Sequence, residues 1–289
     1  MRGACIDIGS NTTRLLVADR DCGSLHEVHQ ERAFTRISRG LQEGGMISEA
    51  KIAEVANVVS EQLRRARQLG AENIDAVATA AIRRAGNRDE LVDAVRAGCG
   101  LEVRILTDLE EARLAFVGAA RTLPSPADGL IGVADVGGGS SELVVGQAPD
   151  TIRWCASLAV GSGDLADEFL RSDPPTTDQL EHARASVAQR LNGIDAPQPA
   201  SAIAVGGSAT SLRRMVGDLL DDVSCERALG VLASAPAAEL SSRYGLDLER
   251  VRLLPAGLLI LRGCVDRFGV PLQIGRGGIR EGVLLEAGR

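Results

Sequence analysis

Two stretches of the chain carry residue types that could hold a phosphate and a divalent cation. They are Asp7-Ile8-Gly9-Ser10-Asn11-Thr12 and Asp135-Val136-Gly137-Gly138-Gly139-Ser140-Ser141, each set between two apolar runs. Glycine lets a turn aim its backbone N–H groups at an anion, and the small hydroxyls add donors. A carboxylate beside such a turn is where Mg²⁺ would sit. For one hairpin alone, an Asx-capped Gly/Ser turn is the ordinary reading. Here the aspartate precedes the first turn glycine by two residues both times, which reads as an internal duplication around a phosphate cleft. Asp7 and Asp135 are therefore candidate metal ligands. Gly9, Ser10, Asn11 and Thr12 are candidate phosphate-binding residues, with Gly137, Gly138, Gly139, Ser140 and Ser141 as their counterparts.

Other groups are more ambiguous. Glu142 follows the second turn and could either back the metal or face outward on its strand. Thr107-Asp108-Leu109-Glu110-Glu111 opens a helix, and two capping frames compete. Thr107 with Glu110 would leave Glu111 free, whereas Asp108 with Glu111 would reverse that. Arg83 and Arg84 lie between a strand end and a helix, a position suited to ligand contact, although solvated arginine is the default. Gly206-Gly207-Ser208 could present a helix N-terminus to a nucleotide or phosphate, or could simply pack a strand tightly against its helix. His26 and His29 point to opposite faces of an extended strand, and His182 stands alone, so no zinc site is indicated. No Walker A lysine, G-x-S-x-G elbow or Cys/His couple supports covalent catalysis.

These residues need elements to position them. The first hairpin spans 3–9 and 13–19, followed by a third strand over 25–36, a helix from Ser48 to Gly70 and a strand over 74–79. Asn87 with Glu90 predicts a capping box for a helix over 88–97; a strand at 102–106 and a helix at 109–121 complete the first half. Residues 123–129, rich in proline and small polar residues, read as a linker. The second half repeats the opening with a hairpin and a strand near 152–158. Helices near 164–171 and 177–192, a strand over 201–205, helices within 226–268, a strand near 271–275 and a last helix over 279–286 follow. Two similar α/β domains are expected, over 1–123 and 124–289, with the closing helix free to return to the first.

Composition agrees with this. The 289 residues suffice for two cores, and 45% hydrophobic content with 2% aromatics means cores of Ala, Val, Leu and Ile. No apolar run reaches membrane length and no signal-peptide pattern opens the chain, so a cytoplasmic protein is expected. Six scattered cysteines without a C-x-x-C pair suit a reducing compartment. A net charge of −7 argues against generic nucleic-acid binding, so a polyanionic ligand would need locally concentrated arginine. Lys51 is the sole lysine; every other basic residue is arginine, the better bidentate phosphate ligand.

The motifs resemble those of the exopolyphosphatase/guanosine pentaphosphate phosphohydrolase family, within the actin/sugar-kinase/Hsp70 superfamily. Residues 5–19 are similar to its first phosphate motif and 134–145 to its second, Asp-[Ile/Val]-Gly-Gly-Gly-Ser-[Ser/Thr]-Glu-Leu. Residues 78–83 with Asn87 resemble an Ala-Thr-Ser-Ala-x-Arg…Asn segment, and Glu110-Glu111-Ala112-Arg113-Leu114 a Glu-Glu-Ala-Arg-Leu segment. The likeness continues through 169–175, 205–210 and Arg280-Glu281-Gly282, covering the whole chain in order. It implies two actin-like (ribonuclease H-like) domains flanking a cleft and hydrolysis of a terminal phosphoryl group. It further implies Glu111 as the residue that positions or deprotonates water, Asp7 and Asp135 around Mg²⁺, and Arg83 facing the phosphates. A monovalent cation such as K⁺ and a homodimer belong to the same expectation. The substrate implied is inorganic polyphosphate. The alternatives are 5′-phosphate removal from pppGpp, a catalytically weak sensor of these anions, or a kinase of the superfamily. Two segments depart from the family pattern. Val160-Gly161-Ser162-Gly163-Asp164-Leu165 stands where relatives commonly have Gly-Ala-Val-Arg-Leu, so an arginine is lost and an aspartate appears. Gly275-Arg276-Gly277-Gly278-Ile279 replaces a Ser-x-x-Gly-Leu pattern. Both bear on substrate choice more than on the reaction. The extra C-terminal helical domain of long family members is not expected in this chain, which would weaken its grip on long polyphosphate.

Overall fold

The computed structural model describes residues 1–287 apart from 22, 42–44 and 124–127. Cys22 and most of the expected linker over 123–129 therefore lie outside the described residues. The first half runs β1 (Arg2–Ile8), β2 (Thr13–Asp21), β3 (Ser24–Ala33), a 3-10 turn (Ser38–Gly40), α1 (Glu49–Gln68), β4 (Asn73–Ala78), α2 (Ala80–Arg84), α3 (Arg88–Cys99), β5 (Val103–Ile105) and α4 (Asp108–Arg121). The second begins β6 (Ile131–Val136), β7 (Ser141–Gln147), β8 (Thr151–Leu158), α5 (Ser162–Phe169), α6 (Thr177–Leu191), β9 (Ser201–Val205) and α7 (Gly206–Val216). It ends β10 (Leu219–Leu220), α8 (Asp222–Ser234), α9 (Ala237–Tyr244), α10 (Leu248–Phe268), β11 (Leu272–Ile274) and α11 (Ile279–Glu286).

The strand order shows the duplication. The first sheet is ordered β3-β2-β1-β4-β5, with the hairpin strands antiparallel and β1, β4 and β5 parallel. The second repeats that order and those senses as β8-β7-β6-β9-β11, then adds β10 antiparallel at its edge. Strand β6 is buried along its entire length, as a central strand covered on both faces must be. Edge strand β3 has no fully buried residue. Ser48 caps α1 by accepting from the Lys51 N–H at 3.3 Å, and Ile52, Val55, Val59, Leu63 and Ala66 form its buried stripe. The capping box expected at Asn87 does not form. Its side chain donates to Ile47 O and accepts from Ile47 N–H instead, tying α3 to the loop before α1.

Two helices lie between the sheets. Ala112, Phe116 and Ala119 of α4 pack on Ile131, Val133 and Val144 of the second sheet. Leu114 of α4 and Val283 and Leu284 of α11 pack with Cys5, Leu16 and Val77 of the first. The two helices approach backbone to backbone: a Cβ on Gly118 would lie 1.9 Å from Gly278 O, and one on Gly282 2.1 Å from Leu114 O. This tight seam fixes the N-terminus of α4, where Glu111 sits.

Candidate active site

Strand register does the first part of the positioning. Asp7 pairs with Arg14 across β1–β2, and Asp135 pairs with Glu142 across β6–β7. Directly paired residues share a sheet face. The repeat thus places a carboxylate twice at one position, opposite a cation in one half and an anion in the other. Both turns close with the same bond: Gly9 N–H donates to Thr12 O and Gly137 N–H to Ser140 O, each at 3.0 Å. The turns also meet across the cleft. A Cβ on Gly138 would lie 3.0 Å from Asn11 Cβ, and one on Gly139 2.5 Å from Ser10 Oγ. Helix α5 backs the second turn, with Ser162 N–H donating to Gly137 O at 2.9 Å and Gly163 and Asp164 N–H to Gly138 O at 2.8 and 3.1 Å.

The competing caps at α4 resolve in one frame. Thr107 Oγ1 accepts from Glu110 N–H at 3.2 Å, and Glu110 Oε2 accepts from Thr107 N–H at 2.8 Å. Glu110 is thereby committed to the helix end. Glu111, 4% exposed, turns into the cleft. Arg83, which the family resemblance implies faces the phosphates, is engaged by neighbouring residues. Its Nη1 donates to Glu111 Oε2 and to Leu106 O, both at 2.8 Å, and its Nη2 pairs with Asp108.

The cleft is lined by carboxylates and arginines side by side, with Arg14 the cross-strand partner of Asp7. Burial pushes Glu111 up to about 7 against the pull of Arg83, with Asp7 and Asp135 adding to the rise. Asp135 also rises to about 7, first from burial and then from Asp7. Burial raises Asp7 against Arg14 and Arg280, and raises Glu142 strongly with help from Glu111. Glu142 is 1% exposed and accepts from Ser157 Oγ at 3.1 Å, so it does not face outward. Among the cations, Arg280 and burial lower Arg14 to about 9, and burial followed by Arg32 lowers Arg250 to about 10. Arg276 and Arg280 line the same cleft, with Arg280 donating to Leu15 O at 3.1 Å. The Asp7, Glu111, Asp135 and Glu142 carboxyls and the Arg14 and Arg250 guanidiniums, each disfavoured in its charged form by burial, suit a site that takes a cation and a polyanion together.

Gly9, Ser10, Asn11, Thr12, Gly137, Gly138, Gly139 and Ser140 line the cleft with Asp7, Asp135 and Glu111. Ser141 does not, because its hydroxyl donates to Val160 O at 2.7 Å. Gly206 and Gly207 line it, but Ser208 turns to α10, where a Cβ on Gly257 would lie 2.3 Å from its Oγ. Arg14, Arg250, Arg276, Arg280 and Thr210 are wall residues that sequence reasoning did not single out. The signal for Arg14 was present, since the turn length alone pairs it with Asp7. Arg280 was signalled only through the Arg280-Glu281-Gly282 segment of the family resemblance, and Arg250 carries no comparable local signal.

The Asp7 and Asp135 carboxylates fit a magnesium ion. Asp7 Oδ1 is buried without a hydrogen-bond partner. The Asp135 carboxylate lies where only glycine at 206 leaves room, since a Cβ there would be 2.7 Å from Asp135 Oδ1. Among the described residues no group of three or more His, Cys, Asp or Glu side chains forms a cage. Mg²⁺ asks for less, taking one or two carboxylates and completing its shell with water and substrate phosphate.

A duplicated α/β fold with paired glycine-rich turns across an acidic and cationic cleft defines a phosphate-handling protein of the two-domain, actin-like class. The chain belongs to the Ppx/GppA phosphatase family, whose model matches residues 16–288. It is 28% identical over 305 residues to exopolyphosphatase 1 of Mycobacterium leprae, covering 99% of this chain and 90% of that protein. It is 31% identical to an uncharacterized protein of Streptomyces coelicolor, with 99% and 90% covered. Among solved structures, the Aquifex aeolicus Ppx/GppA family member matches at a TM-score of 0.83, with 28% identity and 99% and 97% of the two chains covered. An exopolyphosphatase from Cytophaga hutchinsonii, at 22% identity and a TM-score of 0.88, has the same fold over 99% of this chain and 98% of that one. No helix among the described residues is long and apolar enough to cross a membrane.

Proposed function

We propose that this chain is a Mg²⁺-dependent exopolyphosphatase that removes the terminal phosphate of inorganic polyphosphate using a water positioned by Glu111. The observation that carries this reading is Glu111 itself. It is buried, released from the helix cap and gripped by Arg83, in the same cleft as both phosphate turns. A carboxyl with a pKa of about 7 is suited to take a proton from water at neutral pH. The backbone and hydroxyls of 9–12 and 137–140, together with Arg14, Arg250 and Arg280, would hold the phosphates bound in the cleft. Arg83 keeps the Glu111 carboxylate oriented. Asp7 and Asp135 would hold Mg²⁺, which when bound neutralises charge on phosphoryl oxygens. Phosphoryl transfer needs such positioning and charge neutralisation more than covalent chemistry.

A nucleotide substrate, pppGpp, is the second reading, because Gly206, Gly207 and Thr210 also line the cleft. Polyphosphate is favoured by Arg250, whose guanidinium lies on Gly207: a Cβ there would be 2.8 Å from its Cζ. That part of the cleft offers a cation rather than a surface for a base. The test is initial-rate phosphate release with Mg²⁺ from tripolyphosphate, long-chain polyphosphate and pppGpp. The account predicts kcat/KM at least about tenfold higher for a polyphosphate than for pppGpp, the worth of roughly one charge-assisted contact. A preference for pppGpp would transfer the function to the nucleotide, and no release from any substrate would leave a binding protein.

A further inference from the structure

The departure at residue 164 has a structural counterpart. Asp164 is the third residue of α5, with its N–H committed to Gly138 O. Its carboxylate lies 3.4 Å from Arg84 Nη2. The same nitrogen donates to Gly139 O at 3.1 Å. Arg84 ends α2 in the first half, so this contact crosses from one half of the molecule to the other. A Cβ on Gly139 would lie 2.9 Å from Arg84 Nη2, so the guanidinium rests on a residue of the cleft wall. The Arg84 side chain is 44% exposed, whereas Arg250 is 5% exposed. Arg84 is a cation at the rim. Its contacts with Asp164 and Gly139 are both made through Nη2. One helical turn further along α5, by contrast, Asp167 grips Arg39 through bonds of 2.6 to 3.0 Å.

We propose that Arg84 is the rim contact for phosphates extending out of the cleft, and that Asp164 sets how strongly it holds them. This rests on the polyphosphate reading above. A chain leaving over Gly139 brings an anion to the guanidinium and, with it, to the Asp164 carboxylate. Attraction by one is offset by repulsion from the other. Tripolyphosphate, held at the turns and the buried arginines, gains little from the rim, while longer chains must pass it. Asp164 thereby biases the site toward short substrates.

The test uses the full chain with Glu111→Gln as background, so that binding is read without turnover. Calorimetric isotherms with Mg²⁺ compare tripolyphosphate and long-chain polyphosphate for Asp164→Asn, Arg84→Gln and the two combined. Asp164→Asn keeps the side-chain shape and the backbone bond to Gly138. It should tighten long-chain binding about fivefold and change tripolyphosphate binding by less than about twofold, the scale of one partly exposed charge pair. The gain should vanish when Arg84→Gln is present, and Asp167→Asn should not reproduce it. Equal tightening of both ligands, a gain that survives without Arg84, or the same gain from Asp167→Asn would overturn the proposal. If the parent enzyme with Glu111 intact releases no phosphate, the hydrolase reading falls, and these isotherms still decide the role of Asp164.

Discussion

At the scale of single residues, the Arg83–Glu111 pair connects structure to rate. Glu111 would act as its carboxylate, and burial holds its pKa near 7 even with Arg83 lowering it. Removing that cation removes a contribution favouring the charged form, so the pKa must rise. Arg83→Gln should therefore move the acidic limb of the kcat/KM profile to higher pH by about one unit, with the largest loss of activity below pH 7. A profile lowered uniformly without a shift would instead place Arg83 on substrate, as its sequence position suggested. Which glutamate enters the cleft was not legible locally, because the Thr107–Glu110 and Asp108–Glu111 frames have the same spacing and only the family resemblance favoured Glu111; the structure forms the Thr107–Glu110 box. What Arg83 touches was not legible either, because Leu106 and Asp108 reach it only once β4, α2 and α4 are assembled.

At the scale of elements, α5 and the second phosphate turn act as a unit. Gly161 makes this possible, since a Cβ there would lie 2.2 Å from Gly138 C, with no flexible side chain to yield. Gly161→Ala should lift α5 off the turn, costing about 1–3 kcal/mol of stability by chemical denaturation and at least tenfold in kcat/KM. Gly230, inside α8 with nothing within 4 Å, gives the opposite sign. Gly230→Ala should be neutral or stabilising by up to about 1 kcal/mol, with activity unchanged. Destabilisation by both changes to a similar degree would show that packing at Gly161 is not special. The elements themselves were largely legible. The two hairpins, α1, α4 and α11 follow from apolar spacing, Ser48, Thr107 and the glycines at helix ends. Residues whose side chains face a distant element were not: Ser141 answers to Val160, Ser208 to Gly257, and Asn87 to Ile47.

At the scale of the whole molecule, charge pairs join the first half to the second: Arg36–Glu249 at 3.0 Å, Arg39–Asp167 at 2.6 Å and Arg84–Asp164 at 3.4 Å. Partly exposed pairs of this kind contribute about 0–1 kcal/mol each and weaken as salt screens them. Raising NaCl should therefore increase the radius of gyration measured by small-angle scattering, and Asp167→Asn should bring the increase to lower salt. A radius independent of salt in both proteins would mean that the seam of α4 and α11, not these charges, sets closure. The most direct measurement on the central claim is turnover and binding of polyphosphate by Glu111→Gln beside the parent, with Mg²⁺ present. The account predicts turnover lower by about a hundredfold or more, with the dissociation constant changed by less than about threefold. Near-normal turnover in that variant would contradict it.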